Sequence, residues 1–129
     1  MTVQVAVVDD DASIRKAILR VLETSSYKVQ AFESAGEFID NLPRGIPECL
    51  ITDLQMPKMT GLELQNHLIR SGVRIPTIII TAFDEPGVRE KCTVAGAVAY
   101  LLKPIRKAVL MDAINKAIDI SRRGANRNK

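Results

Sequence analysis

The sequence predicts an α/β fold, a doubly wound parallel sheet of five strands with helices on both faces. Five strand-like runs alternate with five stretches of helical periodicity. Such alternation with short connections implies parallel strands and right-handed crossovers. Several of the runs are almost continuously apolar, as strands buried on both faces require. Acidic, hydroxyl and ammonium side chains stand where those runs stop, and sites in such sheets form outside the C-terminal strand ends.

Taken in order, residues 3–8 (VQVAVV) read as the first strand and stop at Asp9-Asp10-Asp11. Ile14, Ala17, Ile18, Val21 and Leu22 then follow the apolar stripe of an amphipathic helix. Asp11 or Ser13 starts that helix and Ser25-Ser26 follows it. Residues 27–32 (YKVQAF) alternate, so they predict a half-exposed edge strand. Residues 34–42 predict a short helix with Phe38, Ile39 and Leu42 inward, closed by Pro43 and Gly45. Residues 49–52 form the third strand, running into Asp53, and Leu64 and Leu68 mark a helix ending at Ser71-Gly72. Residues 77–81 (TIIIT) are β-branched throughout, the clearest strand in the chain. A loop through Asp84-Glu85-Pro86-Gly87 leads to a helix carrying Val88, Cys92 and Ala95 and ended by Gly96. Residues 98–102 form the fifth strand, stopping at Lys103-Pro104. From Ile105, a last helix sets Val109 or Leu110, Ala113, Ile114, Ala117 and Ile118 on one face. Residues 1–121 thus make one domain, and residues 122–129 (RRGANRNK) are expected to be a disordered basic tail or the start of a linker.

At 129 residues, 47% hydrophobic and 26% charged, the chain has the size and composition of one domain with a true core. No apolar run is long enough to span a bilayer, and no basic leader precedes the first strand, so a cytoplasmic protein is expected. Cys49 and Cys92 are far apart and form no CxxC, which predicts buried or half-buried free thiols. The net charge of +3 owes much to residues 122–129 and is weak evidence for a nucleic-acid partner. Met56, Met59 and Met111 read as packing residues, and His67 as an ordinary residue on a helix surface.

Asp53 ends an apolar run and precedes a loop with Pro57 and Gly61, so by itself it reads equally as a helix cap or as an acid delivered to the sheet rim. Its company favours the second. Asp9 and Asp10 end strand one, Thr81 ends strand four and Lys103 follows strand five, so all would face one crevice. Clustered carboxylates repel unless a cation joins them. An all-oxygen set suits a hard ion, Mg²⁺ or Mn²⁺. A carboxylate beside that ion can act as a nucleophile and form an acyl phosphate, with Lys103 and Thr81 holding phosphoryl oxygens. Neither GxxxxGK[ST] nor GxGxxG is present, which disfavours nucleotide binding.

VVDDD at 7–11, TDLQMPKMTG at 52–61, IIITA at 78–82 and AYLLKP at 99–104 together resemble the receiver domain of two-component response regulators, the CheY-like family. The wording around Asp53 looks most like the FixJ type, and the resemblance runs from about residue 3 to 121. It implies a (βα)5 flavodoxin-like sheet in strand order 2-1-3-4-5. It also implies that Asp53 accepts the phosphoryl group, that Asp10, Asp53 and the main-chain carbonyl of Gln55 bind Mg²⁺, and that Asp9 acts through water. Thr81 and Tyr100 would be the switch pair, Ala82 and Lys103 would contact the phosphate, and Lys103-Pro104 would be cis. Asp11 would start the helix rather than bind metal, and a large Phe83 would shield the acyl phosphate from water. No core motif residue is missing, so no degenerate receiver is suggested.

The implied activity is phosphoryl acceptance from a sensor histidine kinase with slow self-dephosphorylation, not metabolic turnover. The output would be either a transcriptional one, through a DNA-binding domain outside this chain, or protein contact by a stand-alone receiver. A homodimer on phosphorylation is a further expectation. This chain itself shows no helix-turn-helix unit and is not expected to bind nucleic acid or a membrane. A phosphatase of the haloacid dehalogenase type would need an acid two residues after the nucleophile, where Gln55 stands.

Overall fold

In the computed structural model, backbone is described for residues 2–127 and side chains for residues 2–124. The strands are β1 (Gln4–Val8), β2 (Lys28–Phe32), β3 (Cys49–Asp53), β4 (Thr77–Thr81) and β5 (Ala97–Leu102), and the helices α1 (Ala12–Leu22), α2 (Ala35–Asn41), α3 (Gly61–Arg70), α4 (Val88–Val94) and α5 (Lys107–Arg127). All pairings are parallel and the order is β2-β1-β3-β4-β5, as expected. The chain starts one strand in from an edge, adds β2 at that edge, then crosses to β3, β4 and β5 on the other side of β1.

Local chemistry sets the helix starts. The side chain of Asp11 accepts the Ser13 N–H at 2.8 Å, which settles the first cap in favour of Asp11. Ser34 accepts the Glu37 N–H at 3.1 Å. Thr60 and Glu63 form a reciprocal capping box at the start of α3. The last two are S/T-x-x-E patterns legible in the chain.

Strand alternation sends alternate side chains to opposite faces. Val5, Val7, Cys49, Ile51, Ile78 and Ile80 pack with Ile18 and Leu22 of α1 and Leu110 and Ile114 of α5. Ala6, Val8 and Leu50 pack with Phe38 of α2 and Leu64 and Leu68 of α3, while Ile79 joins Leu54 and Cys92 of α4. Strands β3 and β4 are buried at every residue. Each buried Ile or Leu there contributes roughly 1.5–3 kcal/mol, so the central strands are the stiffest platform available for a site at their ends. The edge strand β2 alternates exposed with half-buried residues, as its pattern predicts, except that Ala31 is also exposed.

Two details differ from the sequence expectation, at Ala17 and from residue 122, and one settles an alternative it left open, at Val109 and Leu110. Ala17 is exposed, because the stripe on α1 narrows to Ile14, Ile18, Val21 and Leu22. Leu110 rather than Val109 faces the core, Val109 being 43% exposed. The stretch from 122 is not a disordered tail as far as it is described, since α5 continues to Arg127. Arg123 pairs with Asp119 one turn back at 3.1 Å, and Arg122 reaches Glu48 at 3.3 Å, so the charges that suggested a tail instead decorate a helix. Residues 128 and 129 lie outside the described residues.

Candidate functional site

The ends of β1, β3 and β5 bring Asp9, Asp10, Asp53 and Lys103 together. Oxygen atoms of Asp9, Asp10 and Asp53 lie within 4.8 Å of one another. Lys103 Nζ stands 3.2 Å from Asp9 Oδ2 and 3.3 Å from Asp53 Oδ1. Asp9 is fully buried and Asp53 is 4% exposed, whereas Asp10 faces solvent. Asp9 is already engaged at both oxygens, because Oδ1 accepts the Asp11 N–H at 2.9 Å and Oδ2 meets Lys103. Asp53 Oδ1 is buried with no hydrogen bond of acceptable geometry. Asp53 and Asp10 are therefore the less engaged carboxylates of the three.

The electrostatics are those of crowded acids. Burial, then the charge of Asp9, pushes the Asp53 carboxyl up from 3.8 to about 6, against the lowering effect of Lys103. Burial pulls the Lys103 ammonium down, but Asp53 and Asp9 outweigh it and its pKa ends raised. One ammonium thus serves two acids and leaves the cluster short of positive charge. An all-oxygen pocket with a buried carboxylate oxygen that lacks a hydrogen bond and shares one ammonium with Asp9 fits a hard divalent cation.

Thr81 ends β4 fully buried. Its hydroxyl lies 2.9 Å from Gln55 Oε1 and 2.9 Å from the Phe83 carbonyl, and it accepts the Phe83 N–H at 3.1 Å. Ala82 is exposed beside it. Phe83 holds Thr81 through its backbone, while its ring is 68% exposed. Its side chain is thus turned to solvent, and the shielding expected of it has no support in this geometry. Tyr100 packs against the Leu54, Ile79 and Cys92 cluster, with the Arg89 guanidinium 4.9 Å from its ring centroid. Its hydroxyl is buried without a hydrogen bond, and burial first, then the charge of Asp84, raises its pKa. The Lys103-Pro104 peptide is cis.

The loop after β3 is held by a close backbone approach. The Gly61 N–H donates to the Leu54 carbonyl at 2.9 Å, and a Cβ on Gly61 would lie 2.5 Å from the Asp53 carbonyl oxygen. Only glycine fits there, which explains the spacing from Asp53 to Gly61. Lys58 takes a left-handed conformation at φ 68° between them. Sequence reading missed Arg15, whose Nη1 donates to the Asp9 carbonyl at 2.7 Å across the first turn of α1. Its place one turn into the helix after the acid pair was the available signal. It also missed Gln65, buried on α3, whose Nε2 donates to the Cys92 and Ala95 carbonyls at the end of α4. A glutamine among leucines on an inward stripe gives no such warning. Asp11 caps α1 and stands outside the acid cluster, as expected.

Comparison with known proteins places this geometry. The family profile described as response regulator receiver domain matches residues 5–115. The transcriptional regulatory protein TdiR of Thauera aromatica is 34% identical over 95% of this chain and 54% of its own length. The transcriptional regulatory protein FixJ of Rhizobium meliloti is 34% identical over 88% of this chain and 55% of its own length. The chain therefore spans about half the length of these curated relatives. The crystal structure of FixJ-N superposes with a TM-score of 0.84 at 32% identity, covering 92% of this chain and 95% of that one. The response regulator StyR gives 0.88 at 33% identity, covering 99% of this chain and 66% of that one. No helix among the described residues is long and apolar enough to cross a membrane. With an acid cluster, a lysine and a buried threonine at one rim of a 2-1-3-4-5 sheet, the chain belongs to the response regulator receiver domain family of two-component systems.

Proposed function

We propose that this chain accepts a phosphoryl group on Asp53 from a phosphohistidine of a sensor kinase and relays the resulting change of shape to a transcriptional output. The observation that carries this is the buried Oδ1 of Asp53, which has no hydrogen bond beyond its ion pair with Lys103 at 3.3 Å and stands within the acid cluster. An oxygen of the Asp53 carboxylate attacks phosphorus; the new O–P bond forms as the P–N bond of the donor breaks, and the imidazole leaves with a proton from solvent. The Lys103 ammonium, oriented by Asp9 at 3.2 Å, faces the incoming phosphoryl oxygens. Asp10, Asp53 and the Gln55 main-chain carbonyl would hold Mg²⁺ (or Mn²⁺), with Asp9 acting through water, and the ion would supply the positive charge that Lys103 alone lacks. The engagement of both Asp9 oxygens by other donors supports that indirect role. Thr81, the Ala82 N–H and Tyr100 make up the responding side. Attack of water on phosphorus later releases phosphate and restores the carboxylate.

The transcriptional output rests on the relatives TdiR and FixJ, whose names describe transcriptional regulators and whose chains extend well beyond the matched half. The partners are then a sensor histidine kinase and an output domain, with homodimer formation on phosphorylation and action in the cytoplasm following from that setting. Acetyl phosphate with Mg²⁺ should label the chain once, with Asp53→Asn unlabelled. A labelled Asp53→Asn protein moves the acceptor elsewhere.

A further inference from the structure

We infer that the Gln55 side chain is a positioning residue that acts through Thr81, holding the switch hydroxyl in a closed set of hydrogen bonds that phosphorylation must open. This deepens the proposed function and rests on Asp53 as acceptor. The Thr81 hydroxyl has one proton and faces two carbonyl-type oxygens at 2.9 Å, Gln55 Oε1 and Phe83 O, while the Phe83 N–H occupies a lone pair. One proton cannot serve two acceptors. Exchanging the amide N and O of Gln55 resolves it, since Nε2 then donates to Thr81 and Thr81 donates to Phe83. In either orientation the hydroxyl has its proton committed, and none of these bonds involves Asp53.

Gln55 is suited to hold this set and to release it. It lies two residues beyond Asp53, the last residue of β3, so its backbone is tied directly to the acceptor. It is only half-buried, so an amide displaced from Thr81 can turn to water without stranding a buried polar group. Thr81 is fully buried and has no such freedom. Loading Asp53 offers the Thr81 proton a charged oxygen as a better acceptor. The hydroxyl then leaves its set, and the Phe83 backbone, held by two bonds to it, must follow. That links Asp53 to the loop between β4 and α4 through one amide and one hydroxyl.

The test is a double-mutant cycle with beryllofluoride and Mg²⁺ as the phosphoryl mimic. Gln55→Leu keeps the bulk and removes the bond. It should tighten beryllofluoride binding by roughly fivefold, the equilibrium worth of one neutral hydrogen bond. In a Thr81→Val background the same substitution should change the affinity less than twofold. Circular dichroism confirms that each variant is folded, and the side-chain amide resonances of Gln55 should shift on loading in the native protein only while Thr81 is present. Equal effects of Gln55→Leu in both backgrounds, or none in either, overturn the inference while leaving Asp53 as acceptor. Beryllofluoride binding that survives Asp53→Asn unchanged overturns the proposed function and this inference together.

Discussion

Replacing Asp53 by Asn should stabilise the metal-free protein, and the gain should depend on pH. The Asp53 carboxyl is raised from 3.8 to about 6 by burial and by Asp9. A carboxyl whose pKa rises on folding binds its proton more tightly in the native state. Its contribution to stability is therefore full below the unfolded value of 3.8 and is lost as pH climbs through about 6. A shift of about two units at 1.36 kcal/mol each corresponds to about 3 kcal/mol at pH 7 to 8. Asparagine resembles the protonated acid in shape and charge, so it escapes that cost at every pH. Urea midpoints in EDTA, taken from pH 4 to 8, should show Asp53→Asn level with the native protein at the acid end and more stable by up to about 3 kcal/mol at pH 7 to 8. Mg²⁺ should stabilise the native protein and not the variant, narrowing the gap, since a ligand of the folded state adds stability by mass action. A gap independent of pH, or a variant less stable at pH 8, would refute the view that crowded, under-compensated acids dominate this pocket.

Other consequences can be measured with the same tools. Gly61→Ala would place a methyl 2.5 Å from the Asp53 carbonyl, so it should cost roughly 1–3 kcal/mol and slow acetyl phosphate labelling; an unchanged midpoint would show that the loop is free to move. Gln65→Leu removes both bonds from α3 to the end of α4, and α4 amides should exchange faster by an amount matching roughly 1–3 kcal/mol, with α1 amides unaffected. Cys49 and Cys92 are both fully buried, and burial pushes the Cys49 thiol up to about 12 and raises Cys92 as well. Disulfide reagents at pH 8 should therefore label either thiol only as fast as the domain opens, and a rapid native reaction would contradict that burial.

The elements were legible because their signals are local. A β-branched run such as residues 77–81, a cap such as Thr60 with Glu63, and a stripe such as Ile14, Ile18 and Leu22 each depend on neighbours a few residues away. The acids were legible because strand ends in a parallel sheet fall on one rim, so naming the ends names the candidates. Residues 122–127 misled because composition speaks for solvation and not against a helix, and the ion pairs with Asp119 and Glu48 become visible only once α5 is placed. Phe83 shows the same limit, since a large apolar side chain announces size and not direction, and its 68% exposure is set by the folded loop.

By itself, then, the sequence determined which residues could meet: Asp9 and Asp10 after the first strand, Asp53 and Thr81 at the ends of the third and fourth, and Lys103 after the fifth. Tertiary structure alone decided how they meet. That Lys103 is shared between Asp9 and Asp53, that Asp9 has both oxygens occupied, and that Thr81 is tied to Gln55 across 26 residues are facts of packing. The physical reason is range. Periodicity and capping act over one or two turns of chain, whereas burial, shared charge and hydrogen bonding across elements depend on neighbours that only the assembled sheet brings within 3 to 5 Å.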